Sequence, residues 1–259
     1  MILFSAEHLT MVFGGLAAVD DFSLELGEGD LMGLIGPNGA GKTTVFNLIT
    51  GTLKPTQGKI VFRGEKIAGL KPNVITRRGI ARTFQNIRLF QDLPVIENVM
   101  ISYHGRLRSS FIGAVLRTPL YHREEREMID QGMALLRQVR LGHVAHERAG
   151  ALAYGQQRRL EMARALATNP KLLLLDEPAA GMNPQETREL MDFILKVKEE
   201  FKLTVLLIEH DMRVVMGICQ RIKVLDHGAT IAEGTPKEIQ NNPQVIAAYL
   251  GEAGVRAGA

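Results

Sequence analysis

Apolar residues along the chain follow two alternating periods. Leu31-Met32-Gly33-Leu34-Ile35 is a continuous apolar run, as are Leu172 to Leu175 and Leu203 to Ile208, the pattern of strands covered on both faces. Phe22, Leu24 and Leu26 alternate with polar residues, and Lys59-Ile60-Val61-Phe62-Arg63-Gly64 ends in a turn, so short half-exposed strands are expected there. Thr43 to Ile49 reads as a helix, and Leu190, Phe193, Ile194 and Val197 mark an amphipathic helix between the two later apolar runs. From about Ile101 to Ala149 strand signals vanish and helical spacing takes over, for example Ile129, Met133 and Leu136, flanked by Arg106, Arg108 and Arg117. The pattern predicts an α/β fold with a parallel-sheet core, a β-rich portion near the amino terminus and an inserted helical subdomain, with no internal repeat. The three arginines read as a solvated face, with membrane phosphates or a partner subunit as the alternative.

Composition narrows the class without naming a function. The 259 residues are 46% hydrophobic and 23% charged, enough to bury a sizeable core and too apolar for a disordered chain. Net charge is only +3 despite a pI near 9.0, so no global field calls for nucleic acid as a partner. Cys219 is the single cysteine, so no internal disulfide is expected, and the short apolar opening Met1 to Phe4 does not read as a signal peptide. The apolar runs are far shorter than the ~20 residues that span a bilayer. The expectation is a cytoplasmic chain that other subunits dock to a membrane if it works at one.

The chemistry concentrates first in Gly36-Pro37-Asn38-Gly39-Ala40-Gly41-Lys42-Thr43-Thr44, which has the spacing G-x-x-x-x-G-K-[ST]. Glycines 36, 39 and 41 let the backbone aim N–H groups at phosphate oxygens, Lys42 adds positive charge, and Thr43 offers a hydroxyl to Mg²⁺. The preceding strand and following helix are the context that such a phosphate loop requires, so the chain is expected to bind ATP or GTP. A second constellation, Leu172 to Leu175 followed by Asp176-Glu177-Pro178, ends a strand in two carboxylates whose side chains are expected to diverge by strand alternation. Asp176 suits a Mg²⁺ held through its waters, and Glu177 suits a base for the water that attacks the γ-phosphate. His143 and His146 form an H-x-x-H pair that no cysteine or further histidine joins, so no metal site is expected there.

Three further segments carry a family resemblance. Leu152-Ala153-Tyr154-Gly155-Gln156-Gln157-Arg158-Arg159 resembles the L-S-G-G-Q signature of ATP-binding cassette (ABC) proteins, Gln85 in Arg82-Thr83-Phe84-Gln85-Asn86 resembles their Q-loop, and His210 in Ile208-Glu209-His210-Asp211 resembles their switch histidine. Taken alone, Gln85 is an ordinary polar loop residue and His210 a satisfied strand-end histidine, and their order along the chain favours the family reading; Phe13 alone would be a core residue, and only the family resemblance gives it another role. The resemblance implies a P-loop NTPase cassette across residues 1–259, with a RecA-like parallel-sheet core, an antiparallel β subdomain and a helical subdomain at about 87–165 that carries the signature. It implies that Phe13 stacks on adenine, that Gln85 senses Mg²⁺ and nucleotide, that Ala179 to Asn183 form the D-loop, and that Ala153, Tyr154, Gly155, Gln156 and Asn183 meet nucleotide across a dimer interface. In such dimers the signature of one subunit closes on the phosphate loop of the other, and hydrolysis releases the closed state.

The same segments, with Ala179-Ala180-Gly181-Met182-Asn183-Pro184 and the tail from Gly234-Thr235-Pro236 to Ala253, resemble the ATP-binding subunits of branched-chain amino acid importers. That resemblance implies a Mg²⁺-dependent ATPase at the cytoplasmic face of the inner or plasma membrane, a second ATPase subunit, two permeases and an external substrate-binding protein, with no nucleic acid as a partner. Related subunits serve urea, short amides and lipopolysaccharide export, and other ABC ATPases act on nucleic acid or ribosomes without a membrane. Two departures stand out. Ala153 occupies the place of the usual signature serine and Tyr154 that of a glycine, and Asn183 replaces the D-loop aspartate, so the site completed by this signature is expected to turn over more slowly than its counterpart.

Overall fold

The computed structural model of the chain describes residues 1–103 and 119–256; Arg106, Arg108 and Arg117 lie outside the described residues. Two compact units result, one formed by Met1–Arg82 with Lys171–Ala259 and the other by Thr83–Pro170.

The first unit contains two sheets. Strands β1 (Ile2–Phe13), β2 (Leu16–Gly27), β4 (Gln57–Phe62) and β5 (Glu65–Lys66) form an antiparallel sheet in the order β2-β1-β4-β5. Strands β3 (Leu31–Ile35), β6 (Ile80–Arg82), β7 (Leu172–Asp176), β8 (Thr204–Ile208), β9 (Arg221–Asp226) and β10 (Ala229–Gly234) form the other, in the order β10-β9-β3-β8-β7-β6. All of its neighbours are parallel except β9 and β10. Every residue of β3, β7 and β8 is buried, which is why these strands read as continuous apolar runs. In β2 burial alternates from Phe22 through Leu24 to Leu26, as expected for a sheet with one covered face. One core cluster joins the two sheets through Phe4, Phe22, Leu34, Leu174 and Leu206, with Phe46 of α1 (Lys42–Ile49) among them.

The remaining helices of this unit are α2 (Pro72–Arg78), α6 (Pro184–Phe201), α7 (Met212–Ile218), α8 (Pro236–Gln240) and α9 (Pro243–Arg256). The amphipathic spacing of α6 is realised, with Leu190, Phe193, Ile194 and Val197 buried. Cys219 ends α7 buried, and burial together with the nearby Glu209 charge pushes its thiol up to about 12.

The second unit is helical, built from α3 (Val95–Tyr103), α4 (Pro119–Gln138) and α5 (Tyr154–Ala167), with short 3₁₀ turns at Gly142–Val144 and Ala149–Ala151. Helix α4 exists where the spacing predicts one, but its phase differs from the expectation. Ile129 is 40% exposed, and the buried stripe runs through Met128, Gly132, Leu135 and Leu136 to Val139 beyond the helix. Gly132 lies on that stripe, and a Cβ there would lie 2.8 Å from Cδ1 of Ile96, so α4 meets α3 where a side chain is missing. A contact made through a glycine leaves no mark in a hydrophobic pattern.

Two outcomes follow from this packing. Leu136→Ala should lower stability by about 2–5 kcal/mol while Ile129→Ala stays within about 0.5 kcal/mol, compared through the midpoints of urea unfolding. The Cys219 thiol should resist an aromatic disulfide reagent at pH 7.5 in the folded chain and react fully in denaturant; rapid reaction of the folded chain would contradict its burial.

Candidate nucleotide site

Parallel pairing brings the candidate residues of the first unit to one edge. Leu34 of β3 is level with Ile208 of β8, which is level with Asp176 of β7, so the segments that follow β3, β7 and β8 all leave the carboxyl edge of the sheet together.

The loop from Gly36 to Gly41 follows β3. Gly36, Gly39 and Gly41 all have left-handed or otherwise positive φ, at 148°, 79° and 102°. At Gly36 a Cβ would fall 2.0 Å from the Leu225 carbonyl oxygen, and at Gly41 one would fall 2.4 Å from that of Ala18, so both positions are closed to any side chain. The loop is tied to the β9–β10 turn, where the N–H of Gly228 donates to the Ala40 carbonyl at 3.1 Å. Pro37 and Ala40 are buried and Asn38 is exposed. Lys42, buried in the first turn of α1, donates from Nζ to the carbonyls of Gly36 and Pro37 at 2.7 Å each, which holds its ammonium over the loop. Thr43 is exposed on the same turn, Thr44 is half-buried, and α1 has no side-chain cap, so its first N–H groups lie at the loop end.

Asp176 ends β7 in a buried ion pair, its Oδ2 accepting from the Arg82 guanidinium at 2.6 Å. The same guanidinium donates to Oδ1 of Asn47 at 2.7 Å and lies 5.3 Å from the centre of the Phe46 ring. Arg82 thus joins β6, α1 and β7. Glu177 lies beyond the strand, with φ at 45° and its N–H donating to the Ile208 carbonyl at 2.9 Å. The two acids therefore diverge because Glu177 takes a left-handed backbone, not because they alternate along one strand. Glu177 Oε2 lies 3.5 Å from Nδ1 of His210, whose side chain is 62% exposed. Glu209 is buried, and burial pushes its carboxyl up against the pull of the backbone N–H groups of Ala179, Asp211 and His210.

Asn183 caps α6. Its Oδ1 accepts from the N–H groups of Gln185 and Glu186 at 2.9 and 3.0 Å, and Glu186 returns a carboxylate to the Asn183 N–H at 2.9 Å. Asparagine caps a helix as well as aspartate does, so the missing charge leaves the local fold intact. Phe13 ends β1 beside Gly14 and Gly15 and is 46% exposed, outside the core.

Gln85, Ala153, Tyr154, Gly155 and Gln156 belong to the second unit. Ala153 is the N-cap of α5 and has no side chain to accept from the first turn; Gln156 supplies the reciprocal half of a capping box, accepting the Ala153 N–H at 3.2 Å. A Cβ on Gly155 would meet nothing within 4 Å. Arg158, one turn further on, donates to the carbonyls of Phe84 and Gln85 and pairs with Glu161, which also accepts the Phe84 N–H. Burial pushes the Glu161 carboxyl up, opposed by that N–H and by Arg158. The start of the Gln85 segment is therefore stitched to α5 by a buried charged pair.

The hydroxyl of Thr43 in the first turn of α1 and the carboxylate of Asp176 at the end of β7 are hard oxygen donors, which suits a Mg²⁺ ion held mainly by phosphates and water rather than a protein cage. Among the described residues no group of three or more histidine, cysteine or acidic side chains could hold a metal. Sequence reasoning passed over Arg82, Asn47, Arg158, Glu161 and Glu209; the signal for each was a charged or amide residue placed beside a motif or inside an otherwise apolar helix face.

Residues 19–180 match the ABC transporter family, and residues 229–255 match the branched-chain amino acid ATP-binding cassette transporter family. The high-affinity branched-chain amino acid transport ATP-binding protein BraF of Pseudomonas aeruginosa is 51% identical over 251 residues, 97% of this chain and 98% of that protein. LivG of Escherichia coli K12, of the same description, is 49% identical with the same coverage. The crystal structure of the ADP conformation of MJ1267, an ATP-binding cassette of an ABC transporter, superposes with a TM-score of 0.85 at 32% identity, covering 97% of this chain and 99% of that one. With a glycine loop so placed and likeness running along nearly its whole length, this chain belongs to the ABC transporter family as an ATP-binding cassette.

Proposed function

We propose that this chain binds Mg-ATP and hydrolyses it to drive uptake of branched-chain amino acids, working at the cytoplasmic face of the membrane with a second ATPase subunit, two permeases and an external binding protein. The observation that carries this reading is the 51% identity to BraF across 97% of the chain, joined by the separate match of residues 229–255. Among the described residues no helix is long and apolar enough to cross a membrane, which suits a subunit whose path for cargo lies in other chains. Residues 1–259 form one cassette on this reading, with the helical subdomain at about 87–165.

Lys42 and the N–H groups of the loop bind the phosphates, and Thr43, Asp176 and Gln85 would hold the metal. A Mg²⁺ ion bound there would supply positive charge that stabilises the phosphate oxygens. Arg82 keeps Asp176 aimed from one side, through the 2.6 Å bond to Oδ2. Glu177 takes a proton from the attacking water, and His210, 3.5 Å away, steadies the carboxylate and the terminal phosphate. Phe13 carries the adenine, Gln85 reports the state of the metal and nucleotide, and Ala153, Tyr154, Gly155, Gln156 and Asn183 meet the partner's nucleotide. Each closed site then needs both subunits, and hydrolysis shifts the pair back to the open state.

Glu177→Gln should lower turnover roughly 10²- to 10⁴-fold with ATP binding retained, read by phosphate release and nucleotide titration; unchanged turnover would remove Glu177 as the base. The same variant, recovered from native membranes with Mg-ATP, should carry a second cassette and two permeases, and titrating their binding protein with amino acids tests the cargo. Recovery of nucleic acid or ribosomal proteins instead would end the transport reading. Ala153→Ser restores a side-chain acceptor at the N-cap of α5, so it should stabilise that helix by about 1 kcal/mol. It should also speed the site completed by this signature, measured in the heterodimer with the other site disabled.

A further inference from the structure

Glu209 is a buried acid whose contacts fall on two loops of the nucleotide site at once. It follows β8 directly, and its side chain is wholly buried. Oε1 accepts the N–H of Ala179 at 2.7 Å, and Oε2 accepts the N–H groups of His210 and Asp211 at 3.1 and 3.3 Å. Ala179 lies two residues beyond Glu177, and His210 is the residue next to Glu209. Removing a carboxylate from water is costly, and here three backbone N–H groups supply the compensation. Those bonds cannot be rebuilt by a group with a single acceptor, because they approach opposite oxygens from different segments of chain.

The loop that begins at Glu177 is therefore anchored twice to the end of β8, first by the Glu177 N–H on the Ile208 carbonyl and then by the Ala179 N–H on Glu209. Between these anchors Glu177 sits in the left-handed region, at φ 45°, which an ordinary side chain adopts only when its surroundings hold it there. The same Glu209 carboxylate fixes the backbone on which His210 is carried. The exposed imidazole and the half-buried Glu177 carboxylate face each other at 3.5 Å.

We propose that Glu209 is a positioning residue, a clamp that ties the loop after β7 to the turn after β8 and so keeps Glu177 and His210 in register with each other. This inference rests on the reading in which Glu177 and His210 act at the terminal phosphate. Glu209 acts through the two backbone segments that it joins. Misplacing a reacting group by about 1 Å costs on the order of 10²-fold in rate, and that is the scale of effect the clamp controls.

Glutamine is the informative replacement, because it keeps the shape of Glu209 but turns one acceptor into an NH₂ group that must face an N–H. In the assembled transporter, Glu209→Gln should lower kcat roughly 10- to 100-fold while the KM for ATP stays within about threefold. Hydrogen exchange should quicken at the amides of Ala179, His210 and Asp211 and stay unchanged along β3 and α1. On a Glu177→Gln background the same substitution should cost clearly less than on the unaltered chain, because one of the two groups being positioned has already lost its function. An unaltered kcat despite faster exchange at those three amides would overturn the proposal. So would an equal loss on both backgrounds accompanied by a general fall in melting temperature, which is the mark of a structural role alone. If Glu209→Gln does not accumulate, Glu209→Asp, too short to reach both loops, carries the same expectations. Full turnover in Glu177→Gln and His210→Ala would instead defeat the underlying site assignment, independently of what Glu209 does.

Discussion

The parallel ladder joining β3, β8 and β7 sets Leu34, Ile208 and Asp176 side by side, so the chain segments leaving its carboxyl edge start from one level. Each segment then has backbone groups that the ladder no longer satisfies, and a buried edge cannot leave them unmet. The phosphate loop answers with positive-φ glycines and with Lys42 turned onto its own carbonyls. The segment after β7 is met by the Ile208 carbonyl and the Glu209 carboxylate, and the turn after β8 by that same carboxylate. The strand alignment comes first, and the site is assembled from what its ends require.

Polar side chains at this edge are shared between elements rather than spent on one contact. Arg82 uses its fork on Asn47 and Asp176 while its flat face lies near Phe46, a set of contacts that a lysine's single ammonium could not reproduce. Asn183 holds two amides of α6. In the helical unit Arg158 and Glu161 do comparable work for the backbone around Phe84 and Gln85. Buried charged pairs of this kind add little net stability but are costly to break singly, so they specify geometry more than they strengthen the fold.

The strands were legible because burial on both faces writes an unbroken apolar run, as in Leu172 to Leu175 and Val205 to Ile208. The backbone of the glycine loop after β3 was legible because Gly36 and Gly41 answer to a conformation and a close approach that few other residues tolerate. The phase of α4 was not, since Gly132 makes its contact by lacking a side chain. Glu209 was hidden for a different reason: in sequence it is one acid among several polar residues near a histidine, and its importance comes from Ala179, thirty residues away along the chain but adjacent across two strands. Pairings at long range between a side chain and backbone amides carry no local pattern.

Cys219 has a practical bearing on how this machine can be observed. Its sulfur is packed away at the end of α7, and the chain contains no other cysteine and no tryptophan. The native protein is thus a nearly silent background. A single cysteine placed on an exposed position of either unit would take a fluorescent or spin probe at that point alone, and one tryptophan would report its own surroundings without interference. Two such cysteines placed within one unit would give a distance inside an otherwise unmodified chain.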